Sequence, residues 1–184
     1  FEVPGHRWMD ISEPGRGLAV LDRAIYGRSI EHGVLGLTLL RASVFPDPQA
    51  DRGDHHLRWA LMPHAGDWRV AGVDSEAESV TRTLRTNTGK VTAPFTIETI
   101  GPVAVEIAAV KRSEDGQARV LRIVEKHGGH GTAVLRMNDA VANASLCDCL
   151  ERSVPSDQLV VDGNVLRVGL RPFGIVTIRV EDSV

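Results

Sequence analysis

Aromatic residues are scarce in this chain: three tryptophans, four phenylalanines and one tyrosine among 184 residues. With so few large rings, Trp8, Trp59 and Trp68 serve equally well as core anchors or as stacking platforms for a sugar. Cysteine is scarcer still, with only Cys147 and Cys149. A disulfide between residues i and i+2 is strained, and on a strand the two would share one face. They read as half-buried free thiols, which makes a reducing, cytoplasmic compartment the expectation. A metal site built on the pair needs two more ligands, and none is adjacent in sequence. An excess of positive charge is also missing. Lys+Arg number 21 against 24 Asp+Glu, for a net charge of −3 without blocks of one sign. Nucleic-acid binding therefore has no electrostatic support. No apolar run approaches the ~20 residues that cross a bilayer, and no charged-then-apolar leader opens the chain.

Catalytic signatures are absent as well. There is no Gly-x-Ser-x-Gly elbow, no His-Glu-x-x-His pair and no Walker glycine loop. Gly128-Gly129-His130-Gly131 resembles a phosphate cradle only superficially, since Thr132 to Arg136 read as another strand. Without a helix N-terminus to meet an anion, a hairpin connection is the expectation there. Asp47, Asp51, Asp54, His55 and His56 miss the spacing of a calcium loop. Neighbouring His55 and His56 point to opposite sides of an extended chain. No metal site is expected, and a calcium-binding module stands as a third reading, which a calcium-dependent shift in melting temperature would reveal.

What is present is a succession of short β-branched and aliphatic runs. Leu18 to Leu21, Val34 to Leu40, Val103 to Val110, Ala118 to Val124, Val165 to Leu170 and Ile175 to Val180 all read as strands. Asp115-Gly116 and Asp162-Gly163 sit between such runs and signal hairpins. Arginines alternating with Leu121, Ile123 and the 165–170 run suit a sheet that is wet on one face. Ser75 with Glu78 has capping-box spacing before Ala77, Val80 and Leu84, which predicts one short helix over 75–85. The fold class expected is all-β, an antiparallel, supersandwich-like β-sandwich with one short helix. A possible internal seam lies in the polar stretch near 81–93. A first residue of Phe1 rather than methionine reads as a piece of a longer protein.

The densest chemistry follows the apolar run ending at Leu39-Leu40, which reads as a buried strand. Residues 41–56 then carry two prolines, three aspartates, two arginines and two histidines. Prolines fix φ and remove N–H donors, so the segment is stiff. Rigid, charged loops on a β scaffold commonly hold ligands, although the same composition suits a solvated connection.

Several blocks, taken in order, resemble one family. They are Phe1-Glu2-Val3-Pro4 with His6-Arg7-Trp8, Asp10 to Pro14, Gly17 to Asp22, Tyr26-Gly27 and Arg41-Ala42-Ser43. Pro46-Asp47-Pro48-Gln49-Ala50-Asp51-Arg52-Gly53-Asp54-His55 follows, then Ala60 to His64, Gly66-Asp67-Trp68, Arg122 to Glu125 and Arg171 to Ile178. The pattern is similar to the C-terminal region of glycoside hydrolase family 38, the class II α-mannosidases, across nearly the whole chain.

That resemblance implies a C-terminal β-sandwich domain over residues 1–184, packed on the N-terminal catalytic and helical domains of a retaining α-mannosidase. In the family, zinc and the nucleophilic aspartate lie in the N-terminal barrel, with a His-x-Asp pair among the zinc ligands. No His-x-Asp occurs here, so no catalytic residue is expected in this chain and the piece alone should be inactive. The family also lends side chains from this β region to the rim of the cleft that takes an α-mannoside or oligosaccharide. Asp51 and Arg52 are the residues expected there, then Asp47 and His55. Arg41 is expected to anchor the loop to an aspartate within it. The competing expectation is a free-standing carbohydrate-binding β-sandwich. Neither nucleic acid nor a membrane is an expected partner.

Overall fold

The computed structural model describes residues 2–83, 86, 88, 89 and 95–182. The chain divides into two units, Phe1–Thr88 and Gly89–Val184. Residues 84, 85, 87 and 90–93 of the expected seam lie outside the described residues, as does Leu84 of the predicted helix.

The first unit holds strands β1 (Val3–Pro4), β2 (Trp8–Glu13), β3 (Arg16–Asp22), β4 (Gly27–Glu31), β5 (Val34–Thr38) and β6 (Trp59–His64). Helices α1 (Trp68–Ala71) and α2 (Val73–Thr81) follow. The strands form two antiparallel sheets, ordered β1-β4-β5 and β2-β3-β6. His32 and Gly33, at φ 51° and 78°, make the two-residue turn between β4 and β5. Two consecutive positive φ values match the right-handed twist of the paired strands. β5 stops at Thr38 because β4 begins opposite it at Gly27. Leu39 and Leu40 are therefore left 44% and 48% exposed rather than forming the expected buried strand.

Alternate residues of the central strand β3, Ala19 and Leu21, pack on Val73 and Ala77 of α2. Ala77 lies one helical turn from Val73, so both face the sheet. The small side chains of Ala19 and Ala77 let helix and strand approach closely. Two helical pieces replace the one expected over 75–85. Asp67 caps α1 by accepting the N–H groups of Arg69 and Val70. Gly72, at φ 68°, ends α1 and starts α2 at once. Ser75 is thus inside α2, and Glu78 pairs with Arg82 at 2.6 Å rather than closing a capping box.

The second unit is an antiparallel sandwich, as the strand pattern indicated. Its strands are β7 (Ile97–Ile100), β8 (Val105–Arg112), β9 (Arg119–Glu125), β10 (Gly131–Met137), β11 (Val141–Cys147), β12 (Leu159–Asp162), β13 (Val165–Leu170) and β14 (Ile175–Asp182). They form sheets ordered β12-β13-β10-β7 and β11-β14-β9-β8. Leu135, Met137, Leu166 and Val168 from one sheet meet Leu121, Ile123, Ile178 and Val180 from the other in a single buried core. Hairpins occur at both Asp-Gly signals, joining β8 to β9 and β12 to β13.

Two local expectations need correction. Residues 126–130 do not close a hairpin, because β9 and β10 belong to different sheets and the segment crosses between them. Nor do the two cysteines share a strand face. Asp148 ends β11 by turning its carboxylate onto the N–H groups of Leu150 and Arg152. Cys147 is buried and Cys149 exposed, both as free thiols. Burial pushes the Cys147 thiol above its ordinary pKa. Among the described residues no helix is long and apolar enough to cross a membrane.

Candidate functional site

A cleft of about 670 Å³ lies in the first unit beside the charged loop. β1 forms one wall by pairing Val3 with Arg28 and Pro4 with Gly27. Gly27 also faces Thr38 across β4 and β5. A Cβ at Gly27 would lie 2.7 Å from Glu2 Oε1 and 2.8 Å from Thr38 Cβ, so a larger residue would displace this wall. The Thr38 hydroxyl donates to Glu2 Oε2. Arg41 Nη1 stands 3.9 Å from Glu2 Oε1.

Arg41 and Asp51 line the same cleft, facing Glu2, Tyr26 and Leu40. Asp51 accepts the backbone N–H of Ala42 at 2.7 Å, closing residues 42–51 into a ring. This differs from the expected anchor: the aspartate holds the backbone beside Arg41, while the arginine faces Glu2. Asp47 accepts the Gln49 N–H at 2.9 Å. Two turns follow, Ala50 N–H to Asp47 O and Arg52 N–H to Gln49 O. His55 Nε2 lies 3.0 Å from the Asp51 carbonyl oxygen. Asp47 and His55 therefore brace the loop and do not line the cleft. Arg52 is exposed at the loop's turn, and its side chain makes no hydrogen bond or ion pair among the described residues. Glu2 and Thr38 were not foreseen as cleft residues, because only the β1-β4-β5 pairing brings them to Arg41.

Of the lining residues, Tyr26, Leu39 and Leu40 are presented to solvent. In the same loop, Phe45 is 85% exposed and Val44 76%. Trp8 and Trp68 are core anchors, their rings 5.0 Å apart against the β3–α2 contact. Trp59, 52% exposed, is the most open of the three tryptophans. Among the described residues no three His, Cys, Asp or Glu side chains group to hold a metal ion. The arrangement offers a guanidinium and two carboxylates to a polar, hydroxyl-rich ligand.

Comparison with known proteins bears on this loop and on both units. The profile described as "Glycosyl hydrolases family 38 C-terminal domain" matches residues 1–49. That described as "Glycosyl hydrolases family 38 C-terminal beta sandwich domain" matches residues 104–178. Alpha-mannosidase 2C1 of Homo sapiens is 40% identical over 184 residues, covering 97% of this chain and 18% of that protein. Alpha-mannosidase G of Dictyostelium discoideum is 34% identical over 142 residues, covering 72% of this chain and 13% of that protein. The chain thus spans about a fifth or less of the length of the curated relatives it matches. Among solved structures, an alpha-mannosidase from Enterococcus faecalis V583 superposes with TM-score 0.71 at 20% identity, covering 98% of this chain and 21% of that one. A family 38 protein from Enterococcus faecalis gives TM-score 0.69 at 18% identity, with 98% and 23% covered. At these identities the structures share the fold.

Proposed function

Because this chain belongs to the C-terminal region of glycosyl hydrolase family 38, we propose that it serves an α-mannosidase as a non-catalytic accessory body. In this reading the longer protein hydrolyses α-mannosides or α-mannosyl oligosaccharides in the cytoplasm with retention of configuration. One carboxylate attacks the sugar and another acts as acid and then base, both outside residues 1–184. Zinc enters only through that longer protein. The described residues here group no three ligands for it, so no step is assigned to it in this chain.

The role of the chain is to pack on the catalytic and helical domains and to present the 41–56 loop to the substrate. The observation that carries this is the loop's construction. Asp51 and Asp47 hold its backbone through their own carboxylates, leaving the Arg52 guanidinium exposed on a braced support. An arginine on a braced backbone can donate two parallel hydrogen bonds to sugar hydroxyls with only its own side chain left to order. The exposed Val44 and Phe45 of the same loop suit burial against a neighbouring domain.

The test is Arg52→Ala in the full-length enzyme, with zinc content measured alongside. If the guanidinium contacts the transition state, kcat/KM falls by about 2–3 kcal/mol equivalent. Unchanged kcat/KM with zinc retained removes Arg52 from the site. The same assay on the 184-residue chain alone should give no turnover of a nitrophenyl mannoside.

A further inference from the structure

A second, smaller cleft of the first unit has a charge pattern that the loop's role does not explain. β3 and β6 pair Asp22 with Trp59 at their ends, which sets the segments 23–25 and 56–58 side by side. Between them lies a cleft of about 390 Å³, lined by Arg23, Ala24, Ile25, His56, Leu57 and Arg58. Three of these six residues are basic and none is acidic, in a chain whose net charge is −3.

The neighbouring acid does not neutralise them. Asp22 is fully buried, and its carboxylate lies 2.7 Å from Arg28 instead. Arg23 gives Nη2 to the neutral hydroxyl of Thr83 at 2.8 Å. The side chains of His56 and Arg58 make no hydrogen bond or ion pair among the described residues. Both line this cleft together with Arg23. Ile25 and Leu57 back the cleft with apolar surface, which strengthens any charge interaction made there. Like charges gathered without a counter-charge repel, and an anion between them removes that repulsion.

We propose that this cleft binds a doubly charged oxyanion of the phosphate-monoester type, with Arg23 and Arg58 as its two forks and His56 as a third donor. Guanidinium groups match such oxygens two at a time. The volume lies near the lower end of small-molecule pockets, roughly 300–1,000 Å³, which suits one phosphate with at most a single sugar ring. The chemistry is the same whether the phosphate is free or carried on a hexose. The site is independent of the mannosidase reading, because it requires only residues of this chain.

The experiment is an NMR titration of the 184-residue chain with inorganic phosphate at constant ionic strength, following the His56 imidazole and the Arg58 Nε–H. A saturating shift is expected. Arg58→Gln and, separately, Arg23→Gln should weaken the fitted affinity about tenfold, while Arg16→Gln on a distant hairpin leaves it unchanged. Circular dichroism confirms that each variant is folded, and the two cleft variants keep the test valid if either fails. Parallel titrations with a hexose 6-phosphate and with the plain hexose identify the source. Tighter binding of the sugar phosphate marks a sugar-borne group, and equal binding marks free phosphate; both support the site. A shift that does not saturate, that chloride reproduces, or that survives both cleft substitutions overturns it.

Discussion

His64 reaches across Gly17 of the central strand to place its Nε2 2.7 Å from Asp10 Oδ1. Both side chains are only 4% exposed. Gly17 pairs with His64, and Asp10 pairs with Ala19, so the contact is diagonal across β3. A Cβ at Gly17 would sit 2.2 Å from His64 Cε1, so only glycine leaves the ring this path. The hydrogen bond to Asp10 holds the imidazole pKa above its ordinary value, against the burial that lowers it.

The sign of the pH dependence follows from that raised pKa. The pair's contribution is complete below the unfolded histidine value of about 6.5 and is lost as pH rises through the folded value. Thermal unfolding followed by circular dichroism should therefore show Tm declining across this window on going alkaline. Asp10→Asn should flatten that slope. Gly17→Ala should cost about 1–3 kcal/mol by forcing the ring aside. An identical slope in Asp10→Asn would remove the pair as its source.

Glu125 gives the opposite sign in the second unit. The residue is 1% exposed. Oε1 accepts the N–H of His127 at 2.9 Å, while Oε2 accepts those of Gly128 at 2.8 Å and Phe173 at 2.9 Å. Burial pushes its pKa up, but the ring of backbone donors outweighs it and the carboxyl lies below its usual range. Its stabilising contribution is present above the unfolded value of about 4.3 and is lost as pH falls through the folded one. Glu125→Gln turns an amide donor toward backbone donors and should cost about 2–3 kcal/mol in urea unfolding. A loss under about 0.5 kcal/mol, the scatter of ordinary surface changes, would contradict the clamp.

Asp22 and Arg28 form a buried pair at the 22–28 turn, which supplies Ile25, Tyr26 and Gly27 to the larger cleft. Arg28 also donates to the Ile25 carbonyl, and Asp22 accepts the Ile25 N–H. Burial lowers the arginine's pKa, and Asp22 opposes this. Removing one partner leaves an unpaired buried charge, so Arg28→Met should cost about 3–5 kcal/mol. Adding Asp22→Asn should return part of that loss, because the stranded charge disappears. Chemical denaturation of the single and double variants measures the coupling, and simple additivity would argue against it.

What could be read from the chain alone was whatever the backbone declares locally. Gly116 and Gly163, the glycines of the two Asp-Gly signals, take positive φ, and such turns announce themselves through residue type. The inward alternation of Leu121 and Ile123 marked a core strand for the same reason. Asp67 and Gly72 also carry the cap signals of α1, but four residues hold too few apolar positions to show a helical period. Glu125 continues the inward alternation of Leu121 and Ile123, but no local pattern shows what satisfies its charge, because its donors at 127, 128 and 173 meet only after two loops fold together. Glu2 and Arg41, 39 positions apart, become neighbours through sheet pairing that no local pattern encodes. Leu39 and Leu40 misled because apolar character suits a domain interface as well as a strand. The loop's density of charge was plain, but not which carboxylate would turn inward.

Asp51 supplies the remaining prediction, since its carboxylate holds the Ala42 N–H at 2.7 Å and so closes the 42–51 ring. Ala42 has φ 50°, a left-handed conformation that a residue with a Cβ keeps only when neighbouring bonds impose it. Asp51→Ala removes the acceptor and should let residue 42 relax toward ordinary φ. Amide exchange at Ala42 should then accelerate by about tenfold or more, the loss of one hydrogen bond to a charged acceptor. Strands β3 and β6 should keep their protection, because neither uses this bond. Asp51→Asn retains one carbonyl oxygen and should restore part of the protection. Equal exchange in wild type and Asp51→Ala would mean that the loop is held by its 47–52 turns alone, and that the aspartate is free to meet a ligand.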